Sequence, residues 1–263
     1  MYKQKGFKSV SLTTALAVFV TTAFAGNTAE AAECVKQIIP AYYYPSTDYW
    51  TQSTAVVGAS GRVMIMNPAS GPGTVKNPDY VTGVAAAKAK KAIVVGYVAT
   101  DYGDKPLATV KAEILKYKNW YGVQGIFFDE ASSSATKISY YKSLAQYVRE
   151  IGAGRVILNP GVPPAEGYFT QVLTGTNDAA VVFEGTLTTY NNWTQPSWVT
   201  KYPQKKFSHL IYAVPQANWS ATLTKAKNHW AGFVYITNDN LTNPWDTLPP
   251  YWSAEAIAAS TCI

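Results

Sequence analysis

The sequence predicts a single (β/α)8 barrel, and three observations indicate it. Eight short runs rich in β-branched and aromatic residues recur along the chain, each bounded by turn residues. The runs are nearly continuous in apolar residues, which is typical of parallel strands buried on both faces. Segments with helical character lie between them, and eight such units fit roughly 230 residues. A doubly wound open sheet is the alternative, but no glycine-rich phosphate loop follows the first run.

The predicted strands and helices alternate along the chain. The eight predicted strands are residues 35–45, 61–68, 92–99, 125–130, 155–161, 180–185, 207–215 and 232–239. The clearest predicted helices are residues 79–91, 107–121, 136–152 and 220–230. In the third, Tyr141, Leu144 and Val148 share one face, and Gly152 follows as a helix stop.

The first 25 residues have the pattern of a secretory signal peptide. Three lysines precede an apolar run that ends in Ala23-Phe24-Ala25. An uncleaved membrane anchor is the alternative, although the run is short for a bilayer span. We therefore predict a signal peptide (1–25), a linker (26–33) and one barrel domain (34–263). The mature protein is then extracellular, or held in a periplasm or cell wall, with no membrane span.

The charge pattern argues against a nucleic-acid partner. The chain has 22 basic and 16 acidic side chains and a formal net charge of +6, but residues 1–25 carry three lysines and no acids. Without them the net charge is +3, and no dense basic stripe remains. We expect a monomer.

Two cysteines, Cys34 and Cys262, lie near the ends of the predicted mature chain. In an exported protein such a pair most simply forms one disulfide, and two unpaired thiols are the alternative. With only two histidines besides, the sequence offers no metal-ligand cluster. We expect neither a metal nor a cofactor.

Polar residues gather at the carboxyl ends of the predicted strands, where barrel enzymes place their active sites. Three carboxylates directly follow apolar strands: Asp129, Glu130 and Glu184. Acids on both sides of a barrel mouth suit glycoside hydrolysis, in which one carboxyl group protonates the leaving oxygen and the other attacks or stabilises the sugar. We therefore predict these three residues as catalytic. Helix capping or pairing with Lys or Arg is the structural alternative.

The adjacent acids Asp129 and Glu130 raise a further expectation. Their crowding should raise the pKa of one of them, which a general acid needs near neutral pH. Strand alternation sends the two side chains to different sides, so only one of them need reach the substrate.

Aromatic and amide side chains at the same ends are candidates for sugar binding, because flat rings pack on the apolar faces of sugars. Tyr102 and Trp245 also fall in strand-to-helix connections. The two Asn-Pro pairs have an equally plausible role in turns. The candidate substrate-binding residues are Tyr42, Tyr44, Asn67, Tyr97, Asp101, Asn159, Tyr212 and Asn238.

Six fragments in the same order resemble the spherulation-specific (spherulin 4) family: "IIPAYYYP", "VMIMNPASGPG", "GYVATDYG", "GIFFDEAS", "VILNPGVPP" and "VVFEG". The resemblance runs from about residue 37 to 239. Proteins of this family are similar to (β/α)8 glycoside hydrolases. Fungal members, in glycoside hydrolase family 135, cleave α-1,4-linked N-acetylgalactosamine in secreted galactosaminogalactan. The resemblance implies the same three residues, Asp129, Glu130 and Glu184.

Three functional hypotheses follow from the sequence. The first is a secreted, endo-acting glycoside hydrolase that cleaves an amino-sugar polysaccharide of a biofilm, capsule or wall. The second is a non-catalytic wall or spore-coat protein that binds carbohydrate at the barrel mouth. The third is a hydrolase of a neutral glycan. Three carboxylates at one mouth favour a hydrolase over a binding protein.

Overall fold

The computed structural model describes Met1, residues 34–55 and residues 61–261. The predicted signal peptide and linker, apart from Met1, lie outside the described residues. So does Cys262, and its predicted disulfide with Cys34 therefore stays a prediction. Among the helices of the described residues, none combines the length and the apolarity that a bilayer span requires.

Eight parallel strands form a closed barrel in chain order, with the last strand beside the first. They lie within one compact unit, Ala32–Ile263. The predicted (β/α)8 barrel is confirmed, and a strand lies within or overlaps each of the eight predicted segments. The strands are β1 Lys36–Ala41, β2 Val63–Met66, β3 Ile93–Ala99, β4 Gly125–Asp129, β5 Arg155–Leu158, β6 Ala179–Thr186, β7 Phe207–Tyr212 and β8 Phe233–Ile236.

Helices follow the strands around the outside of the barrel. They are α1 Asp48–Ala55, α2 Pro78–Ala89, α3 Leu107–Tyr121, α4 Ile138–Glu150, α5 Gly167–Gln171, α6 Leu187–Asn192, α7 Trp219–Asn228 and α8 Trp252–Ser260. The four predicted helices correspond to α2, α3, α4 and α7. The other four are short, and their sequences lack a clear apolar stripe.

Close packing between strand and helix fixes which side chains face the barrel interior. A Cβ atom on Gly96 would lie 2.5 Å from the ring of Tyr117 on α3, so only glycine lets α3 lie this close to β3. Because side chains alternate along a strand, the next residue, Tyr97, points to the opposite side, into the barrel. Its ring stacks near that of Phe127 on β4, with centroids 6.4 Å apart.

Candidate active site

Polar residues from three neighbouring strands meet at the carboxyl end of the barrel. Asp129 is the last residue of β4, Asn159 follows β5, and Glu184 lies near the end of β6. They border a cleft of about 470 Å³, within the range of small-molecule sites. The cleft is lined by Tyr102, Asp129, Glu130, Asn159, Pro160, Gly161, Val162, Glu184, Tyr212, Leu241, Thr242, Pro244 and Trp245.

A β-bulge aims Glu184 at this cleft. The pairing of β6 with β7 shifts between Val181 and Phe183, so that one extra residue lies in β6 just before the acid. Bulges at barrel rims commonly re-aim a side chain. Phe183 packs outward on Tyr190 of α6, with ring centroids 4.6 Å apart, and the next residue, Glu184, faces the cleft.

Asn159 joins the two carboxylates through a single nitrogen. Its Nδ2 donates one hydrogen bond of 2.7 Å to Asp129 Oδ1 and a second of 2.7 Å to Glu184 Oε2. Because both bonds are 2.7 Å long and share one nitrogen, the two accepting oxygens are at most about 5.4 Å apart. Acids from two non-adjacent strands, β4 and β6, therefore converge on one cleft.

Burial changes the proton affinity of Glu184. The side chain is half-buried at the barrel mouth, and desolvation of its charged form is the largest cause of the shift. The negative charge of Asp129 acts in the same direction, whereas the hydrogen bond from Asn159 opposes it. The result is that the pKa of Glu184 is raised to about 7. A carboxyl group with this pKa can donate and accept a proton near neutral pH.

Two predicted tyrosines lie beneath the carboxylates, inside the barrel. Burial, together with the charge of Asp129 and a hydrogen bond to it, raises the pKa of Tyr97, so its phenol stays protonated and donates to Asp129. The ring of Tyr42 lies edge-on to that of Tyr97 at 5.6 Å. Burial and the same carboxylates raise the pKa of Tyr42 as well. Both phenols therefore stay neutral, and the Tyr97 hydroxyl stabilises the charged form of Asp129 from inside the barrel.

Glu130 turns away from its neighbour Asp129 and is exposed on the rim of the cleft. Its backbone is left-handed, with a φ of 49°, which is strained for a residue with a side chain. The carbonyl of Glu130 accepts bonds from the Tyr102 amide (2.7 Å) and the Thr100 hydroxyl (2.9 Å), and these bonds hold the turn. The expectation that crowding raises a pKa within the adjacent pair stays a prediction, and the raised pKa of Glu184 has burial as its main cause.

The predicted substrate-binding residues divide between the cleft and its surroundings. Tyr212 and Asn159 line the cleft, and the Tyr212 ring lies edge-on to Trp245 at 5.9 Å. The other four, Tyr44, Asn67, Asp101 and Asn238, are not among the lining residues. The Tyr44 hydroxyl bonds to Asp79 at 2.7 Å near the start of α2, and Asn67 Oδ1 accepts from the Gly71 amide at 2.9 Å. Asp101 and Asn238 are exposed.

Eight lining residues were not among the predicted site residues: Tyr102, Pro160, Gly161, Val162, Leu241, Thr242, Pro244 and Trp245. Tyr102 and Trp245 fall in connections that the aromatic pattern had marked, and this signal could have identified them. Val162 and Leu241 are exposed by 51% and 70%, and nothing in the sequence distinguishes them from ordinary loop residues. Together with Tyr102 they give the rim of the cleft an apolar, partly aromatic surface.

The described residues include no group of three or more His, Cys, Asp or Glu side chains that could hold a metal ion.

Comparison with known proteins shows the family of the chain. Residues 36–259 match the family described as spherulation-specific family 4. Spherulin-4 of Physarum polycephalum is 33% identical over 245 residues, which cover 88% of this chain and 72% of that protein. The crystal structure of Aspergillus clavatus Sph3 has a TM-score of 0.74 and 24% identity, covering 87% of this chain and 98% of that one, and so shares the fold. The chain belongs to spherulation-specific family 4.

Proposed function

We propose that this protein is a secreted, endo-acting glycoside hydrolase of an amino-sugar polysaccharide. One observation carries the proposal: a half-buried glutamate whose pKa is raised to about 7 shares a single amide donor with a second carboxylate at the mouth of a (β/α)8 barrel. Two carboxyl groups in one cleft, with one of them protonated near neutral pH, are the minimum that glycosidic cleavage needs.

The two acids take different parts in the reaction. Glu184 gives its proton to the glycosidic oxygen as the bond from that oxygen to the anomeric carbon breaks. Asp129, which accepts hydrogen bonds from Tyr97 and Asn159, meets the positive charge that develops at the anomeric carbon. Water then attacks that carbon and gives its proton to Glu184, which restores the acid. Glu130, on the rim, contacts the sugar hydroxyls or the acetamido group.

The separation of the acids favours retention of configuration. Inverting enzymes keep their carboxyl groups about 6.5–9.5 Å apart to admit a water molecule, whereas retaining enzymes keep them about 5–5.5 Å apart. The accepting oxygens of Asp129 and Glu184 each lie 2.7 Å from one nitrogen, so they are at most about 5.4 Å apart, which is shorter than the first spacing and compatible with the second. We expect the first product to have the anomeric configuration of the substrate.

The proposed substrate class rests on the relatives and on the shape of the cleft. The Sph3 structure that shares this fold is a complex with GalNAc. The cleft here is open to solvent and is lined by Tyr102, Tyr212 and Trp245, which suits a polymer that enters from the side. The signal-peptide pattern of residues 1–25 is consistent with a substrate outside the cell.

Product analysis on a panel of polysaccharides tests the proposal. The panel contains acetylated and deacetylated α-1,4-galactosaminoglycan, chitin and a neutral galactan, each incubated with the wild type and with Glu184→Gln. We expect oligosaccharides from the galactosaminoglycan with the wild type, and at least a thousandfold lower rate with the variant. Equilibrium binding without products would instead favour a carbohydrate-binding protein, and an equal rate for the variant would refute the assignment of Glu184.

A further inference from the structure

We infer that Asn159 is a positioning residue, which holds Asp129 and Glu184 in a fixed mutual geometry and does not itself bind the sugar. The inference rests on the proposed hydrolase function and deepens it. Asn159 lies at a strand end and was itself a candidate sugar ligand. Its hydrogen bonds decide between that role and the positioning of the two acids.

The orientation of the Asn159 amide is fixed by the backbone. Its Oδ1 accepts a hydrogen bond of 3.1 Å from the Gly161 amide, which can only donate. The amide therefore cannot flip, and the NH2 group must face the two carboxylates. The Gly161 carbonyl in turn accepts a bond of 2.9 Å from the backbone amide of Glu184. One turn thus ties the Asn159 side chain to the backbone of the acid that it contacts.

No hydrogen of the amide is left for a ligand. A primary amide has two N–H hydrogens, and here one points to Asp129 and the other to Glu184, each at 2.7 Å. The residue is also only 7% exposed. A sugar hydroxyl that took one of these hydrogens would remove the Asn159 hydrogen bond from a partly buried carboxylate, at a cost in free energy.

The backbone of Asn159 is held on both sides. Its backbone amide donates to the Phe128 carbonyl at 2.8 Å, and its carbonyl accepts from the Ala131 amide at 2.9 Å, so both groups bond to the residues that flank the Asp129-Glu130 pair. Because Pro160 follows, the backbone of Asn159 is restricted to extended conformations. The Asn-Pro pair thereby places the side-chain nitrogen Nδ2 of Asn159 between the acids of β4 and β6.

This geometry selects the oxygen of Glu184 that carries the proton. Oε2 accepts the Asn159 hydrogen, and a carboxylic acid accepts hydrogen bonds best at its carbonyl oxygen. The acidic proton therefore sits on Oε1, the other oxygen of the group. Asn159 also favours the charged form of Glu184, which keeps its pKa from rising further above neutrality.

The test measures the titration of Glu184 in the free protein, so it needs no substrate. Carbon-13 spectra of labelled glutamate carboxyl groups are recorded against pH for the wild type, Asn159→Ala and the matched control Asn67→Ala. The control removes the other Asn of an Asn-Pro pair, whose Oδ1 accepts from Gly71. Glu184→Gln identifies the resonance. We expect Asn159→Ala to raise the titration midpoint by about one pH unit, a tenfold rise in proton affinity, and Asn67→Ala to leave it unchanged.

Kinetics on the polymer that the wild type cleaves separate the two roles. A positioning residue predicts a kcat about 10- to 100-fold lower for Asn159→Ala, a KM within about twofold, and a basic limb of the pH profile displaced upward. A tenfold higher KM with unchanged kcat and an unmoved titration would overturn the inference and make Asn159 a sugar ligand. Should Asn159→Ala fail to fold, Asn159→Ser, which keeps a small polar group at the turn, is subjected to the same titration.

The two proposals fail in different ways. Full activity of Glu184→Gln refutes the hydrolase assignment whatever Asn159 does. An unmoved Glu184 titration in the Asn159 variants refutes only the positioning role.

Discussion

Glu255, on α8, is fully buried and far more easily protonated than a free glutamate. Its Oε1 accepts a bond of 3.2 Å from the Ile236 amide, and Oε2 has no hydrogen-bond partner among the described residues. Burial raises its pKa from the usual 4.5 to about 8, against the opposing effects of the Ile236 amide, Gln37 and Arg62. We predict that Glu255→Gln makes the protein more stable at alkaline pH.

The size of the effect follows from the shift. One pKa unit corresponds to about 1.4 kcal/mol, so a rise from 4.5 to about 8 is about 5 kcal/mol in all. Below pH 4.5 the carboxyl group is protonated in both states and has no effect. Between pH 4.5 and 8 the unfolded chain loses this proton while the folded protein keeps it, so stability falls as pH rises. A glutamine does not titrate and avoids this loss.

Urea unfolding at pH 4 and pH 8 measures the effect as a difference between variant and wild type, so that other titrating groups cancel. We expect the free energy of unfolding of Glu255→Gln, taken relative to the wild type, to be about 4 kcal/mol higher at pH 8 than at pH 4. The matched control is Glu150→Gln, which changes an exposed glutamate on α4. Its free energy of unfolding relative to the wild type should be the same at both pH values within about 0.5 kcal/mol. A pH-independent difference for Glu255→Gln would refute the raised pKa, and a relative loss at pH 8 would show an ion pair with Arg62 instead.

Two further substitutions test the support of the site and of the barrel. Tyr97→Phe removes the hydroxyl that donates to Asp129 but keeps the ring, so kcat should fall about tenfold with KM unchanged, and an unchanged kcat would exclude this support. Asp178→Asn breaks a 2.6 Å bond from Arg149 to a carboxylate that is only 4% exposed, and urea unfolding should show a loss of about 2–4 kcal/mol. The control Glu166→Gln breaks an exposed ion pair and should cost less than about 1 kcal/mol, and equal losses for the two variants would contradict the importance of burial.

The strands of the barrel were predictable because their signal is local. Each is a short run of apolar residues between turn residues, and burial on both faces leaves little room for polar positions. Several helices were not predictable. α5 has five residues, too few for a periodic pattern, and α8 reads WSAEAIAAS, in which small apolar residues surround the helix without forming a stripe. Their position is set by packing on the barrel.

The site shows the same division between local and tertiary signals. Strand order brings Asp129, Asn159 and Glu184 to one end, and the sequence predicted all three. The raised pKa of Glu184 depends on burial and on a β-bulge, neither of which the sequence displays. Tyr44 resembled the other tyrosines after β1, yet its hydroxyl bonds to Asn77 and Asp79 at the start of α2. A motif can predict which residues reach the barrel mouth, but not which of them bond to their neighbours.

The pH dependence of kcat/KM on the cleaved polysaccharide tests the catalytic role of Glu184 most directly. Because a general acid must be protonated, the rate of the wild type should fall as pH rises through about 7, the pKa of Glu184. Glu184→Gln should lower the rate at least a thousandfold and abolish this fall with pH. Glu255→Gln, the same change at a fully buried glutamate whose pKa is also raised, should keep both the rate and its fall with pH. A Glu184→Gln variant with the wild-type rate and the same limb would contradict the proposed mechanism.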